Sequence, residues 1–348
     1  MRRAAGIRIF IFVYARIVIY LRAPRQWLRA TRSAGRLAIG AVAALFVALA
    51  AAPAHAQWRI ASSPAANAWY DVLDLLRLGG RGALPLTRTP GDPVAPLARV
   101  LAAERFDLLQ FVPLYYPSAT PAALADALED AAGSSAPRAP RAQFLVGAIR
   151  SALPDARDRQ RVAELAVALR RTMPQGADPA RLTAWQSDWD RRFAAALGPF
   201  LARERLDGGI LWVVPSLGPE GRLFAGVPAD RRDNLIAVGE PRANDDADAP
   251  LFAAVRELCF PLVSRVADRM ADFTKRAGGA PQAERRASIA AVRCGAELLD
   301  RFASAESKAY RAHWLRVGAG DAFDARYPPD PILSAPVLAA LSELPRAK

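Results

Sequence analysis

Histidine and cysteine are almost absent from this 348-residue chain, which has two of each. His55 falls in a segment that reads as a removable leader, so His313 is the sole histidine of the mature chain and a two-histidine metal site within one chain is excluded. No Gly-x-x-x-x-Gly-Lys sequence occurs, and the one glycine run, Gly79-Gly80-Arg81-Gly82, follows a helix-like stretch rather than a strand. It therefore reads as a helix stop, not as a phosphate-cradling loop that opens a helix. Acids and lysine are both missing from residues 1–56, where nine arginines supply all the charge. No internal repeat is present.

That arginine-only segment carries the clearest local message. Arg29, Arg32 and Arg36 precede the uncharged stretch Leu37–Ala54, which ends at the small-x-small sequence Ala54-His55-Ala56. The succession of basic, apolar and small residues is that of a secretory leader, cleaved between Ala56 and Gln57. A retained membrane helix is the alternative, because 18 uncharged residues approach the length that spans a bilayer. Residues 1–28 are too long for an ordinary leader start; they read as a misassigned upstream start or as a second anchoring segment. The expected organisation is thus a targeting region at 1–56 and a mature domain at 57–348.

Removal of the leader changes the charge argument. Subtracting its nine arginines from the net charge of +13 leaves +4, so the isoelectric point near 10.6 belongs largely to the leader. No nucleic-acid partner is expected on that basis, and membrane contact only through an uncleaved N-terminal segment. At 52% hydrophobic the chain can bury a substantial core. In an oxidising destination the even pair Cys259 and Cys294 reads as a disulfide.

Apolar periodicity predicts a helix-rich α+β domain with a small antiparallel sheet in its C-terminal half. Trp58-Arg-Ile-Ala is a weak opening strand and Ala66–Leu78 a helix, followed by a proline-rich loop over 83–96 and a short helix over 96–105. Further helices are expected from Thr120-Pro121, over 155–171 and over 178–206, with a flexible linker at 133–140. Trp185 and Trp189, four residues apart, read either as core or as a sugar-stacking platform. Three β-prone runs, 210–214, 221–225 and 234–238, suggest the antiparallel meander, and helices then resume over 251–276, 283–315 and 334–344.

The helix after the meander carries Val255-Arg256-Glu257-Leu258-Cys259-Phe260-Pro261 and comes after a strand and the acidic loop 244–248. This order, over residues 207–315, resembles the active-site region of zincin-type, gluzincin-like metallopeptidases, in which a helix presents His-Glu-x-x-His to zinc. The resemblance implies Glu257 at the place of the catalytic glutamate, Arg256 and Phe260 at the two histidine positions, and Glu297 at the third ligand. Neither arginine nor phenylalanine offers zinc a neutral lone pair, so the implication is a degenerate site with no metal and no cofactor. The same helix also reads as plain scaffold, with Leu251, Val255, Leu258, Leu262 and Val266 as a core stripe.

Glu306, Tyr310 and His313 stand at i, i+4 and i+7, a spacing that would put an acid, a phenol and an imidazole on one helix face for acid/base work. Three functions remain open: a degenerate, non-catalytic metallopeptidase-like module that binds a protein or peptide, a hydrolase using Glu257 or Glu306 with His313, and a structural envelope protein.

Overall fold

Strand β1 (Gln57–Ala61) alternates, with Trp58 and Ile60 buried and Arg59 exposed. It belongs to the compact unit that runs from Ala56 to Lys348. The computed structural model describes residues 57–75, 106–218, 221–226, 234–241 and 245–344. The expected leader with its expected cleavage residue Ala56, the glycine run at 79–82, the proline-rich loop and the helix expected over 96–105 lie outside the described residues.

From β1 the chain enters α1 (Pro64–Leu75), α2 (Phe106–Tyr115) and α3 (Pro121–Ala132). Thr120 caps α3 as its sequence implies, accepting the Ala123 amide at 3.2 Å ahead of a first-turn proline. A 3₁₀ turn leads to α4 (Gln143–Ala152) and α5 (Ala156–Arg171), the latter capped by Asp155. The segment 133–140, expected as a linker, makes side-chain and main-chain bonds to its surroundings. Arg138 bonds the Asp130 carboxylate at 2.7 Å, and Arg150 donates to the Asp130 and Ser135 carbonyls at 2.7 Å each.

Helix α6 (Pro179–Asp188) continues through a π-helical segment, Trp189–Ala194, into α7 (Ala195–Glu204). The cause is legible in the apolar spacing. Trp185, Trp189, Phe193 and Leu197 recur every fourth residue, which in an α-helix drifts about 40° per step; the wider π turn offsets the drift and keeps all four buried. Trp185 donates to the Ala247 carbonyl at 2.8 Å, and Trp189 lies against Phe193. Neither indole is a surface platform. Both are core.

The sheet order is β1-β2-β4-β3, with β2 (Gly208–Val214), β3 (Arg222–Phe224) and β4 (Leu235–Gly239). Helix-rich α+β holds, but the sheet is mixed rather than an antiparallel meander. β1 and β4 both run parallel to β2, and only β3 is antiparallel, pairing with β4. Central parallel strands are covered on both faces and so read as continuous apolar runs. Leu211 and Val213 of β2, with Ile236 and Val238 of β4, enter the core shared with the helices from α6 onward. Trp212, Val214, Leu235 and Ala237 enter the core shared with α1 to α5. The sheet therefore lies between two helical layers.

The C-terminal layer comprises α8 (Ala249–Asp268), α9 (Phe273–Ala277), α10 (Ala280–Phe302), α11 (Ser304–Gly318), α12 (Phe323–Arg326) and α13 (Ser334–Ser342). The helix expected over 283–315 breaks at Ala303, whose extended φ of −145° turns α11 away from the α10 axis. Tyr310 of α11 then donates to the Val292 carbonyl of α10 at 3.0 Å. A disulfide joins Cys259 of α8 to Cys294 of α10, with Cα atoms 6.0 Å apart. Glu204 and Arg265 tie α7 to α8 through two bonds of 2.7 and 2.6 Å.

Candidate functional site

Helix α8 passes through the middle of the C-terminal layer, and every residue from Ala249 to Cys259 is buried. A helix covered all round is normally apolar all round. Arg256 and Glu257 are the exceptions, each 3% exposed. Burial of two charges costs several kcal/mol per ion unless they are paired and otherwise hydrogen-bonded. Here the Arg256 Nη1 bonds the Glu257 carboxylate directly, and its Nη2 donates to Ser288 Oγ of α10 at 2.7 Å.

The guanidinium plane is also stacked. Its central carbon lies 4.7 Å from the centroid of Phe260 and 5.5 Å from that of Trp314. The two residues at the expected histidine positions thus contact each other, with the phenyl ring as a cover for the cation. Stacking of this type in a desolvated place contributes about 2 kcal/mol.

Glu257 is approached from the sheet side by Gly221, just before β3. A Cβ at that position would lie 2.6 Å from Glu257 Cγ, so only glycine lets the β2–β3 turn reach this close. Tyr70 of α1 is buried and donates to the Gln110 carbonyl at 2.6 Å. Its hydroxyl is held above the ordinary phenol range first by burial, with Arg222 opposing and Glu257 adding to the shift. Tyr310 is likewise raised, by burial first, against the nearby Arg256 charge. Neither phenol carries a charge at neutral pH. On α10, Gly295 leaves room for the Tyr310 hydroxyl, which a Cβ there would overlap.

Glu297 does not join this group. Ser288 is the α10 residue that meets Arg256, and nine positions further along is about two and a half helical turns, which carries Glu297 to the opposite face. There it lines a surface depression with Asp300, Arg301, Leu338, Leu341 and Ser342. The third-ligand reading of Glu297 is therefore corrected by helix geometry. Sequence carried no mark of Ser288, because a bond across 32 residues leaves no local spacing.

Glu306, Tyr310 and His313 are not a shared acid/base face either. Glu306 pairs with Arg192 of the π segment, which also holds Asp248 at 2.9 Å, while the Tyr310 hydroxyl is committed to Val292. His313 is 3% exposed, lies 5.6 Å from the Phe252 ring and 5.2 Å from Trp314, and its Nε2 has no hydrogen-bond partner. Burial lowers its pKa to about 4; Asp246 and Asp245 raise it and Arg316 lowers it further. It is a neutral core imidazole.

That burial has a measurable consequence. The unfolded chain takes up a proton at His313 below pH about 6.5 while the native chain waits until about 4. Its contribution to stability is thus complete above pH 6.5 and is lost as pH falls towards 4, by at most about 3 kcal/mol from the size of this shift. Denaturant unfolding at a series of pH values should show the loss, and His313→Phe should flatten the curve in that window. An unchanged curve would assign the acid sensitivity to other groups.

Among the described residues no group of three or more histidine, cysteine, aspartate or glutamate side chains converges as a metal-ligand set. No protein-family model, curated protein or solved structure matches the chain.

Proposed function

We propose that the chain is an exported protein with the scaffold of a zincin-type metallopeptidase and a degenerate active-site helix, acting as a non-catalytic binding module. The single observation that carries this reading is the closed Arg256–Glu257 pair. At the position where a metallopeptidase glutamate would face a metal-bound water, Glu257 is bonded to a guanidinium on its own helix, and Phe260 covers that guanidinium. A cation at the first ligand position repels zinc, and a phenyl ring at the second offers no lone pair. Export is supported by the basic-apolar-small succession before Gln57 and by the Cys259–Cys294 bond, which persists in oxidising compartments.

The test is made on protein recovered from the cell envelope. Its first residue should be Gln57, it should hold no stoichiometric zinc by elemental analysis, and it should not cleave casein. Zinc near one atom per chain would refute the degenerate-site reading. A triple variant, Arg256→His, Phe260→His and Ser288→Glu, should take up about one zinc per chain, since α10 supplies its third ligand from the Ser288 position.

A further inference from the structure

Strand β1 begins at Gln57, the residue that cleavage after Ala56 leaves first in the mature chain. The strand then has no spare residue ahead of it. Gln57 pairs in parallel register with Gly208, and Trp58 with Gly209. Trp58 is 2% exposed and belongs, with Ile60, to the core shared with the helices from α6 onward. Its indole donates to the Leu206 carbonyl at 2.8 Å, and a Cβ on Gly209 would lie 2.9 Å from its ring. On the other side of β1, Gln186 of α6 donates to the Trp58 carbonyl at 3.0 Å and accepts from the Ile60 amide at 2.7 Å. Core packing thus starts at the second mature residue.

An exported chain meets exopeptidases with its first residues, which most domains keep as a loose tail. Here the loss of Gln57 and Trp58 would take a large side chain out of the core. Glutamine is the residue type that can block its own end. The α-amino group of a chain has a pKa of about 8, so roughly a tenth of it is neutral and nucleophilic at pH 7. The carboxamide of an N-terminal glutamine lies within reach of that amine through a five-membered ring, whereas asparagine would need a strained four-membered one.

We infer that Gln57 is a modification site: once the leader is cleaved, its α-amine closes on its own side chain to give a pyroglutamyl lactam, which shields β1 from exopeptidases. The inference rests on the export reading. In this step a bond forms between Nα and Cδ and the Cδ–Nε2 bond breaks. The carboxamide nitrogen takes one proton from the amine and leaves as ammonia, so no oxidant, metal or second substrate is consumed. The lactam nitrogen keeps one hydrogen and no charge. Ring closure lies ahead of the Gln57 carbonyl, so the bonds of β1 from the Trp58 amide onward are untouched.

The test is the intact mass of the protein recovered from the cell envelope, before and after digestion with a leucine-type aminopeptidase. The expected mass is that of residues 57–348 less one ammonia, and digestion should not change it. Gln57→Asn should keep its ammonia, and the aminopeptidase should shorten it through Trp58. A chain of residues 57–348 with its ammonia retained would overturn the cyclisation and leave export standing. A chain that keeps the leader would overturn the export reading and this inference with it. If Gln57→Asn resists the aminopeptidase as fully as the unaltered protein, the protective role is overturned.

Discussion

Replacement of Arg256 by methionine should lower the unfolding free energy by about 3–5 kcal/mol, a large part of what a domain of this kind possesses. The cost does not come mainly from lost attraction. It comes from leaving the Glu257 carboxylate in a buried place without its guanidinium, and from losing the stack on Phe260 and Trp314. The double variant Arg256→Met/Glu257→Leu removes both charges and should recover most of the stability, because a well-packed apolar pair often equals or betters a buried ion pair. Chemical denaturation followed by tryptophan fluorescence measures both. If the double variant is as unstable as the single one, the stacking and the Ser288 bond, not the carboxylate left without Arg256, dominate.

Loss of the disulfide should cost about 3–4 kcal/mol on the chain-entropy estimate. The bond closes a loop of 35 positions and fastens α8 to α10 one residue before Phe260. Cys259→Ala/Cys294→Ala and the wild-type protein under a thiol reductant should lose similar amounts, and the reductant should leave the double variant unaffected. A loss below about 1 kcal/mol would mean that helix packing alone holds the pair together in the native and unfolded ensembles alike. The same reduction should weaken the fixed approach of Ser288 to Arg256, so the two predictions are coupled. A variant lacking both the bridge and Arg256 should depart from additivity, as contacts on neighbouring helices do.

The elements of the fold differ in how far a single sequence could reveal them. The helices announced themselves wherever local chemistry decides, as at Thr120-Pro121 and Asp178-Pro179, where an oxygen that accepts a first-turn amide precedes a proline. The disulfide followed from having two cysteines and nothing else for them to pair with. The strands were found as well, because Leu211 to Val214 and Leu235 to Val238 are apolar runs bounded by turn residues. Their direction was not. Alternation and apolarity are the same for parallel and antiparallel neighbours, and only the insertion of β4 between β2 and β3 fixes which strands share bonds.

At the candidate site the division is sharper. Sequence by itself determined that Arg256, Glu257 and Phe260 would share one turn of helix, that His313 is the sole histidine after Gln57, and that Cys259 and Cys294 form the sole thiol pair. These follow from residue identity and from the fixed 3.6-residue turn. Only the tertiary structure decided that Arg256 closes on Glu257 and reaches Ser288, that Glu297 faces away, that His313 is sealed among rings, and that Gln186 lies along the β1 edge. Each of those depends on contacts between residues far apart in the chain, and their positions are set by how whole layers pack on the sheet. No spacing within a single element records that packing.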